Sequence, residues 1–203
     1  MKKFNGLLFI LFMSMNIYGQ TNIRIHTGTL EYSGDYGNNF FGFSNLLNAQ
    51  QLNIENKFFK GLSTGLGMLY FGGNQWTEKK SFRLDLYSPK VYLRYDLNDD
   101  RIFPERAFIY PYFTIGAGYF IFKIDDNRVY GKSVSINYGI GIVIDLSKSF
   151  SISLLSSGDA VIRDNVDGLE SGRAKDFLLF SSVGIGIKIP DGYQKGYGRY
   201  LIK

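Results

Sequence analysis

The chain has 203 residues, a formal net charge of +5 and no cysteine, so disulfides, thiolate metal sites and a lipid anchor on an N-terminal cysteine are excluded. Its charges are scattered along the chain rather than clustered, which argues against nucleic acid as a partner. An aromatic content of 17%, with 24 glycines and only 4 prolines, favours many strands and tight turns over helices.

The start of the chain has the three-part pattern of a secretory signal peptide. Lys2 and Lys3 precede the apolar run 7–13, and the small residue Gly19 ends the segment. We expect cleavage after Gly19, so that residues 1–19 are removed on export. The remaining chain has no apolar run near the length of about 18 residues that a spanning helix needs. A location in a membrane would therefore require a closed β-barrel.

Eight segments in which apolar and polar residues alternate follow the signal peptide, and such alternation is typical of strands. They are predicted at 22–32, 51–58, 62–71, 81–96, 108–123, 134–144, 149–157 and 177–188. Longer connections follow the odd-numbered segments and tight turns follow the second and sixth, while the connection after the fourth segment is an exception of intermediate length. An even strand count and this alternation are typical of outer-membrane barrels. We predict an all-β fold, an eight-stranded antiparallel up-and-down transmembrane barrel over 20–190, followed by a tail at 191–203.

The segment 81–96 changes phase part of the way along. Its apolar residues fall on opposite parities in the two halves: Phe82, Leu84 and Leu86 first, then Val91, Leu93 and Tyr95. The phase changes within 87–90, which contains Pro89, and a β-bulge is one of the few places where a strand tolerates proline. We therefore predict a bulge at 87–90.

The face opposite the apolar one is small and polar, and it is predicted to line the lumen. Its glycines form four Gly-x-Gly pairs: Gly65 and Gly67, Gly116 and Gly118, Gly139 and Gly141, and Gly184 and Gly186. Inward glycines leave room for larger side chains from facing strands in a narrow barrel. A polar network is predicted from Arg24, Glu55, Arg83, Asp85, Arg94 and Asp145. Because buried charges need partners, we predict that Glu55 pairs with Arg94 near the periplasmic end.

The sequence predicts no catalytic residue, no cofactor and no metal site. His26 is the only histidine, which excludes metal sites built from several histidines and gives little basis for a Ser-His-acid triad. The Gly-x-Gly pairs lie within strands and lack the third glycine and the helix of a dinucleotide site. Residues 164–168 lack the ligand spacing of a calcium loop and are predicted to be a surface loop.

Three segments resemble the closing hairpins of the OmpA-like outer-membrane β-barrel families. They are YPYFTIGAGYFIF (110–122), YGIGIVIDLSKSFSISL (138–154) and DFLLFSSVGIGIKI (176–189). The resemblance covers the second half of the mature chain, and its motifs encode a barrel rather than an activity. It implies a barrel in the outer membrane of a Gram-negative-type bacterium, here expected without a peptidoglycan-binding domain. The implied partners are outer-membrane lipid and lipopolysaccharide, periplasmic chaperones and the barrel-assembly machinery.

The last predicted strand departs from that family pattern. Barrels of this kind usually end on an aromatic residue that the assembly machinery reads, whereas this strand ends Lys188-Ile189-Pro190. Either the assembly signal is degenerate, or residues 200–202 belong to the barrel.

Three functional hypotheses follow. The leading one is a non-enzymatic outer-membrane protein with a structural role or a role in surface interaction through its long outer loops. The second is passage of small solutes or lipids through or beside the barrel. The third is a soluble periplasmic ligand-binding barrel, with its apolar side chains turned inward. The small Gly and Ser face favours lipid as the neighbour of the apolar face, and an ion-paired lumen argues against a general diffusion pore, which needs about 16 strands.

Overall fold

The structure, a computed structural model, describes residues 20–34, 37–38, 48–76, 81–105, 107–124, 129–162 and 176–189. These residues form nine strands: β1 (Gln20–Gly34), β2 (Gly37–Asn38), β3 (Ala49–Phe59), β4 (Leu62–Trp76), β5 (Ser81–Asp96), β6 (Ile109–Ile124), β7 (Val129–Asp145), β8 (Phe150–Val161) and β9 (Phe177–Ile189). Within them there is no helix long and apolar enough to span a membrane. The predicted signal peptide and C-terminal tail lie outside the described residues.

The sheet closes on itself. β1 pairs with β3 on one side and with β9 on the other, and each long strand from β3 to β9 pairs antiparallel with the next. The two-residue β2 pairs only with the end of β1. The closed ring of eight long strands confirms the predicted fold class. We call the end with the short β3–β4 and β7–β8 turns the periplasmic end and the other the outer end, following the usual orientation of such barrels.

The register fixes how far the strands tilt. Following register partners once round the barrel from Ile142 of β7, through β8, β9, β1 and on to β6, leads back to Lys132 of the same strand. A stagger of about ten residues over eight strands corresponds to a tilt of about 40°. One residue along a strand then changes the height by about 2.5 Å, and one step to the next strand by about 3 Å.

The outward face carries a broad apolar band. Large apolar side chains there are exposed, among them Ile115 at 61% and Ile185 at 65%. From Phe150 to Ile121 the band is about 28 Å tall along the barrel axis, close to the height of the lipid-facing band of outer-membrane barrels. An exposed apolar surface of this extent matches lipid rather than water. The third hypothesis, a soluble barrel with its apolar side chains turned inward, does not account for this exposed apolar band.

The predicted β-bulge at 87–90 is absent from β5. Its register with β4 and with β6 runs without a shift, although Ser88 and Pro89 do not pair with β6. Proline has no N–H to donate, so it interrupts the ladder without adding a residue to it. The phase change in the sequence has another cause: Leu84 and Leu86 point into the lumen and are fully buried. The register shift that the structure does show lies in β3, between Lys57 and Phe59.

Candidate functional site: the barrel lumen

Four charged side chains fill the periplasmic half of the lumen. Arg24 of β1, Glu55 of β3, and Arg94 and Asp96 of β5 are each at most 6% exposed. Arg24 contacts the Glu55 carboxylate. The Nη1 atom of Arg94 lies 3.2 Å from Oε1 of Glu55, and its Nε donates to Oδ1 of Asp96 at 2.7 Å. Two guanidinium groups and two carboxylates balance, which is the condition for burying charges.

Aromatic rings support this charged cluster. The hydroxyl of Tyr92 donates to Oε1 of Glu55 at 2.9 Å. The guanidinium of Arg94 lies 3.6 Å from the centroid of the Tyr112 ring, in a cation–π contact. The cluster is therefore held by side chains from β1, β3, β5 and β6 across the lumen.

Glycines make the space for these rings. All eight glycines of the Gly-x-Gly pairs have register partners whose side chains point into the lumen, so they lie on the inward face. A Cβ atom at Gly65 would lie 2.3 Å from Cζ of Tyr92, and one at Gly141 would lie 2.3 Å from Cζ of Tyr112. These distances are too short for any side chain, so large rings and glycines are complementary in the lumen.

A second buried ion pair lies at mid-height. The Nζ atom of Lys90 is 2.5 Å from Oδ2 of Asp159, and the hydroxyl of Ser135 donates to Oδ1 of Asp159 at 3.1 Å. This pair was not predicted from the sequence for two reasons. The assumed bulge included Lys90, and the seventh predicted strand ended at Ser157, before Asp159. If one alternation had been assumed through the whole of β5, Lys90 would have been predicted to point into the lumen.

His26 lies in the lumen and is 1% exposed. Its Nε2 atom is 3.4 Å from the Ser153 hydroxyl, and its Nδ1 atom is 3.3 Å from the Ser182 hydroxyl. It borders a cavity of about 10 Å³ that Glu55 and Tyr92 also line, enough space for about one water. Nucleophilic catalysis needs a substrate within reach of base and nucleophile, and this cavity does not admit one. Among the described residues, no group of three or more His, Asp or Glu side chains is placed to hold a metal ion.

The outer half of the lumen is filled by apolar side chains. We call them the apolar plug: Leu30, Tyr32, Ala49, Leu69, Phe71, Leu84, Leu86, Phe120, Phe122, Val161, Leu178 and Phe180. Each is at most 1% exposed. The hydroxyl of Tyr32 donates to Oδ1 of Asp176 at 2.6 Å, which satisfies its one polar group. This plug was not predicted from the sequence, because apolar residues were assigned to the lipid side.

The remaining predicted network residues lie elsewhere. Arg83 and Asp85 were predicted in the lumen, and the structure contradicts this. They point outward on β5, with side chains 57% and 29% exposed and Nε of Arg83 3.6 Å from Oδ1 of Asp85. The stagger places both above the apolar band, where an outward charge meets water or headgroups. Asp145 does point inward and pairs with Lys188, at the periplasmic mouth of the lumen.

Comparisons with known proteins show the same architecture. No family model and no curated protein matches the chain. Among solved structures, it is similar to Neisserial surface protein A, with a TM-score of 0.59 and 13% identity over 85% of this chain and 100% of that one. It is also similar to Ail, the attachment invasion locus protein of Yersinia pestis, in complex with the heparin analogue sucrose octasulfate. That TM-score is 0.54, with 14% identity over 85% of this chain and 100% of that one.

A third similar structure was determined in lipid. It is the outer membrane protein AlkL in DMPC bilayers, with a TM-score of 0.51 and 14% identity over 86% of this chain and 92% of that one. At these identities the likeness concerns the fold alone. The chain therefore has the fold of the eight-stranded outer-membrane β-barrels.

Proposed function

We propose that the protein is a non-enzymatic barrel of the outer membrane of a Gram-negative-type bacterium, with a closed lumen and a structural role or a role in surface interaction. The observation that carries this proposal is the filling of the lumen by the charged cluster and the apolar plug. A surface role also agrees with the names of two similar structures, a surface protein and an attachment protein.

The apolar plug argues against passage through the barrel. An ion that entered the periplasmic mouth would meet the balanced charges around Glu55 and then a layer of buried apolar side chains. Transfer of a charge into such surroundings is strongly unfavourable unless a partner accompanies it. Eight strands enclose an interior just wide enough for side chains to fill, and here side chains do fill it.

Conductance in planar bilayers tests the closed lumen. We expect the wild-type protein to give no stable current above the lipid baseline. The matched control is the triple variant Leu84→Ala, Leu86→Ala, Phe120→Ala, which removes three members of the apolar plug and should give measurable current. A stable channel from the wild-type protein would contradict the proposal and favour solute transport.

Fractionation tests the location. We expect the protein in the carbonate-resistant membrane pellet, with an apparent mass on an unboiled SDS gel that changes on heating. A soluble periplasmic band that does not change on heating would contradict it.

Epitope insertion tests the orientation. A tag placed within the β8–β9 connection, residues 163–175, should be detected on intact cells. The matched control is the same tag in the short β7–β8 turn between Ser147 and Lys148, which should be detected only after the cells are permeabilised. The reverse pattern would place the long connections in the periplasm, away from any surface partner.

A further inference from the structure

The small cavity beside His26 lies between the charged cluster and the apolar plug. Its volume is about 10 Å³, and Gln51 of β3 and Ser157 of β8 are among the residues that line it. The stagger of the barrel places these two inward residues within about 2 Å of the same height. They are 5% and 3% exposed. Because β3 and β8 are not neighbours in the ring, the cavity lies between side chains from separate parts of the wall.

The side-chain amide of Gln51 has one end satisfied and the other end without a partner. Its Nε2 atom donates to Oδ1 of Asn53 at 2.7 Å, and this hydrogen bond defines which end of the amide carries the nitrogen. The other atom, Oε1, is buried and accepts no hydrogen bond from the described residues. A buried amide oxygen without a donor is destabilising. Oε1 therefore needs a donor, and the adjoining cavity is where one can lie.

The hydroxyl of Ser157 is in the same position. Its oxygen is buried and has no hydrogen-bond partner among the described residues. A hydroxyl can both donate and accept, whereas the amide oxygen of Gln51 can only accept. Two buried polar groups without partners therefore border one cavity, and a small molecule that donates to one and accepts from the other satisfies both.

The size and the charge of the cavity identify that molecule as water. The volume of about 10 Å³ holds about one water and nothing larger. Thr114, which also lines the cavity, offers a further hydroxyl, and a buried water typically makes about three hydrogen bonds. Glu55 lines the cavity too, but its carboxylate already contacts Arg24 and Arg94, so no net charge remains to hold an ion.

We propose that one water molecule is a bound component of the lumen at this site, where it donates to Oε1 of Gln51 and accepts from the hydroxyl of Ser157. The water joins β3 to β8 and completes the hydrogen bonding of the polar lumen below the apolar plug. This inference goes beyond the proposed function, because it assigns a bound molecule to the interior rather than a role to the protein. A single water below the plug opens no path through the barrel.

A double-mutant cycle tests whether Gln51 and Ser157 share a partner. Gln51→Met, Ser157→Ala and the double variant are compared with wild type by urea unfolding in phospholipid vesicles. Either single variant displaces the water and leaves the other group unpaired, so the double variant should lose less stability than the two single losses predict. We expect a coupling of about threefold or more in the unfolding equilibrium constant.

The matched control pairs Gln51→Met with Ser63→Ala. Ser63 is also fully buried and its hydroxyl also has no partner among the described residues, but it does not line the cavity. The hydrogen bond from Gln51 to Asn53 is lost in both cycles, so its contribution cancels. We expect the control losses to add. Additive losses for Gln51 and Ser157, or equal coupling in the two cycles, would overturn the proposal.

Solid-state NMR of the protein in DMPC bilayers detects the water directly. Magnetisation transferred from water should reach the side chain of Ser157 at least threefold faster than that of Leu86 in the apolar plug. Ser157→Val fills the cavity, so transfer to the Gln51 side chain should then fall to the level of the plug. If wild type gives no heat-modifiable band, the proposed function fails. If the band is present and Ser157 receives magnetisation no faster than Leu86, only the water site is wrong.

Discussion

The two halves of the lumen are filled by different chemistry. In the periplasmic half, Arg24, Glu55, Arg94 and Asp96 form a balanced charged cluster, and the Asp145–Lys188 pair lies at the periplasmic mouth. In the outer half, the apolar plug has almost no exposed surface. The first half depends on pairing of charges and the second on close packing, so the two halves should respond differently to substitution.

The largest effect is expected in the periplasmic half. Glu55→Leu removes the carboxylate that contacts both Arg24 and Arg94, and it leaves two buried guanidinium groups with too little negative charge. Breaking a buried ion pair in this way costs about 3–5 kcal/mol. Urea unfolding in phospholipid vesicles, followed by the fluorescence of the one tryptophan, Trp76, measures the change.

The matched control for this prediction is Glu105→Gln, since Glu105 has a side chain that is 56% exposed. Surface substitutions of this kind usually change stability by about 0.5 kcal/mol or less. If Glu55→Leu costs no more than the control, water solvates the cluster and the contrast between the halves disappears.

In the outer half, Leu86→Ala tests packing. Leu86 is fully buried in the apolar plug, so its truncation loses burial and leaves a cavity. Leu→Ala in a packed core costs about 2–5 kcal/mol, and we expect about 3 kcal/mol here. The same urea titration measures the loss, and high salt should not alter it.

Leu93→Ala is the control for the outer half. Leu93 is 46% exposed on the outward face, where acyl chains fill the space that truncation leaves. Its loss should be smaller, because it carries the transfer contribution without a cavity. Equal losses at Leu86 and Leu93 would mean that the plug is loosely packed.

The difference between the two halves of the lumen also explains which parts of the structure could be predicted from the sequence. The strand 134–144 was placed correctly because its isoleucines face outward and its small residues face inward along its whole length. The same rule failed at Leu84 and Leu86, where apolar side chains face inward. The rule that apolar residues face lipid holds only where the lumen is polar, so it misplaced Arg83 and Asp85.

The charged cluster could be predicted from the sequence, whereas the apolar plug could not. Glu55 and Arg94 lie in regular strands of the polar half, and buried charges have few possible partners, so parity and height were enough to pair them. Leu30 and Tyr32 break the alternation of the first predicted segment, 22–32, and this break alone does not show that they fill the lumen. An alternating pattern does not indicate which face of a strand points into the barrel, because this depends on how all eight strands pack together.

A smaller loss of stability is expected from substitution of the glycines that leave room for the aromatic rings of the lumen. A methyl group at Gly141 would lie 2.3 Å from Cζ of Tyr112 and 2.4 Å from the carbonyl oxygen of Leu154, and the backbone atom cannot move aside. Overpacking of this kind costs about 1–3 kcal/mol. In Gly118→Ala the nearest atoms are the hydroxyls of Ser135 at 2.7 Å and Ser88 at 3.2 Å, side-chain atoms that can move aside at the cost of, at most, the hydrogen bond from Ser135 to Asp159. We expect the Gly141 variant to unfold at lower urea than the Gly118 variant, and the reverse order would contradict the packing argument.

The smallest effect is expected outside the lumen, at the periplasmic turns. Asp100 accepts a hydrogen bond from Lys60, which is the main cause that lowers its pKa, and the backbone N–H of Glu105 adds to it. Both side chains of the pair are about half exposed, so solvent and salt screen the contact. A folded-state pKa below the unfolded value gives stability that is present above the unfolded pKa and is lost as the pH falls through the folded pKa.

The sign of this pH dependence allows the exposed ion pair of the turn to be compared with the buried ion pairs of the lumen. The difference in unfolding free energy between wild type and Asp100→Asn should be small and positive at pH 7, should shrink as the pH falls below the ordinary pKa of aspartate, and should shrink in high salt. The loss from Glu55→Leu should survive the same salt, because the cluster is buried. If the Asp100 difference grew on acidification, the lowered pKa of this carboxyl would be wrong. If salt reduced the Glu55 effect as strongly as the Asp100 effect, the ion pairs of the lumen and those of the turn would be equivalent. The polar half would then be an extension of the solvent rather than part of the interior.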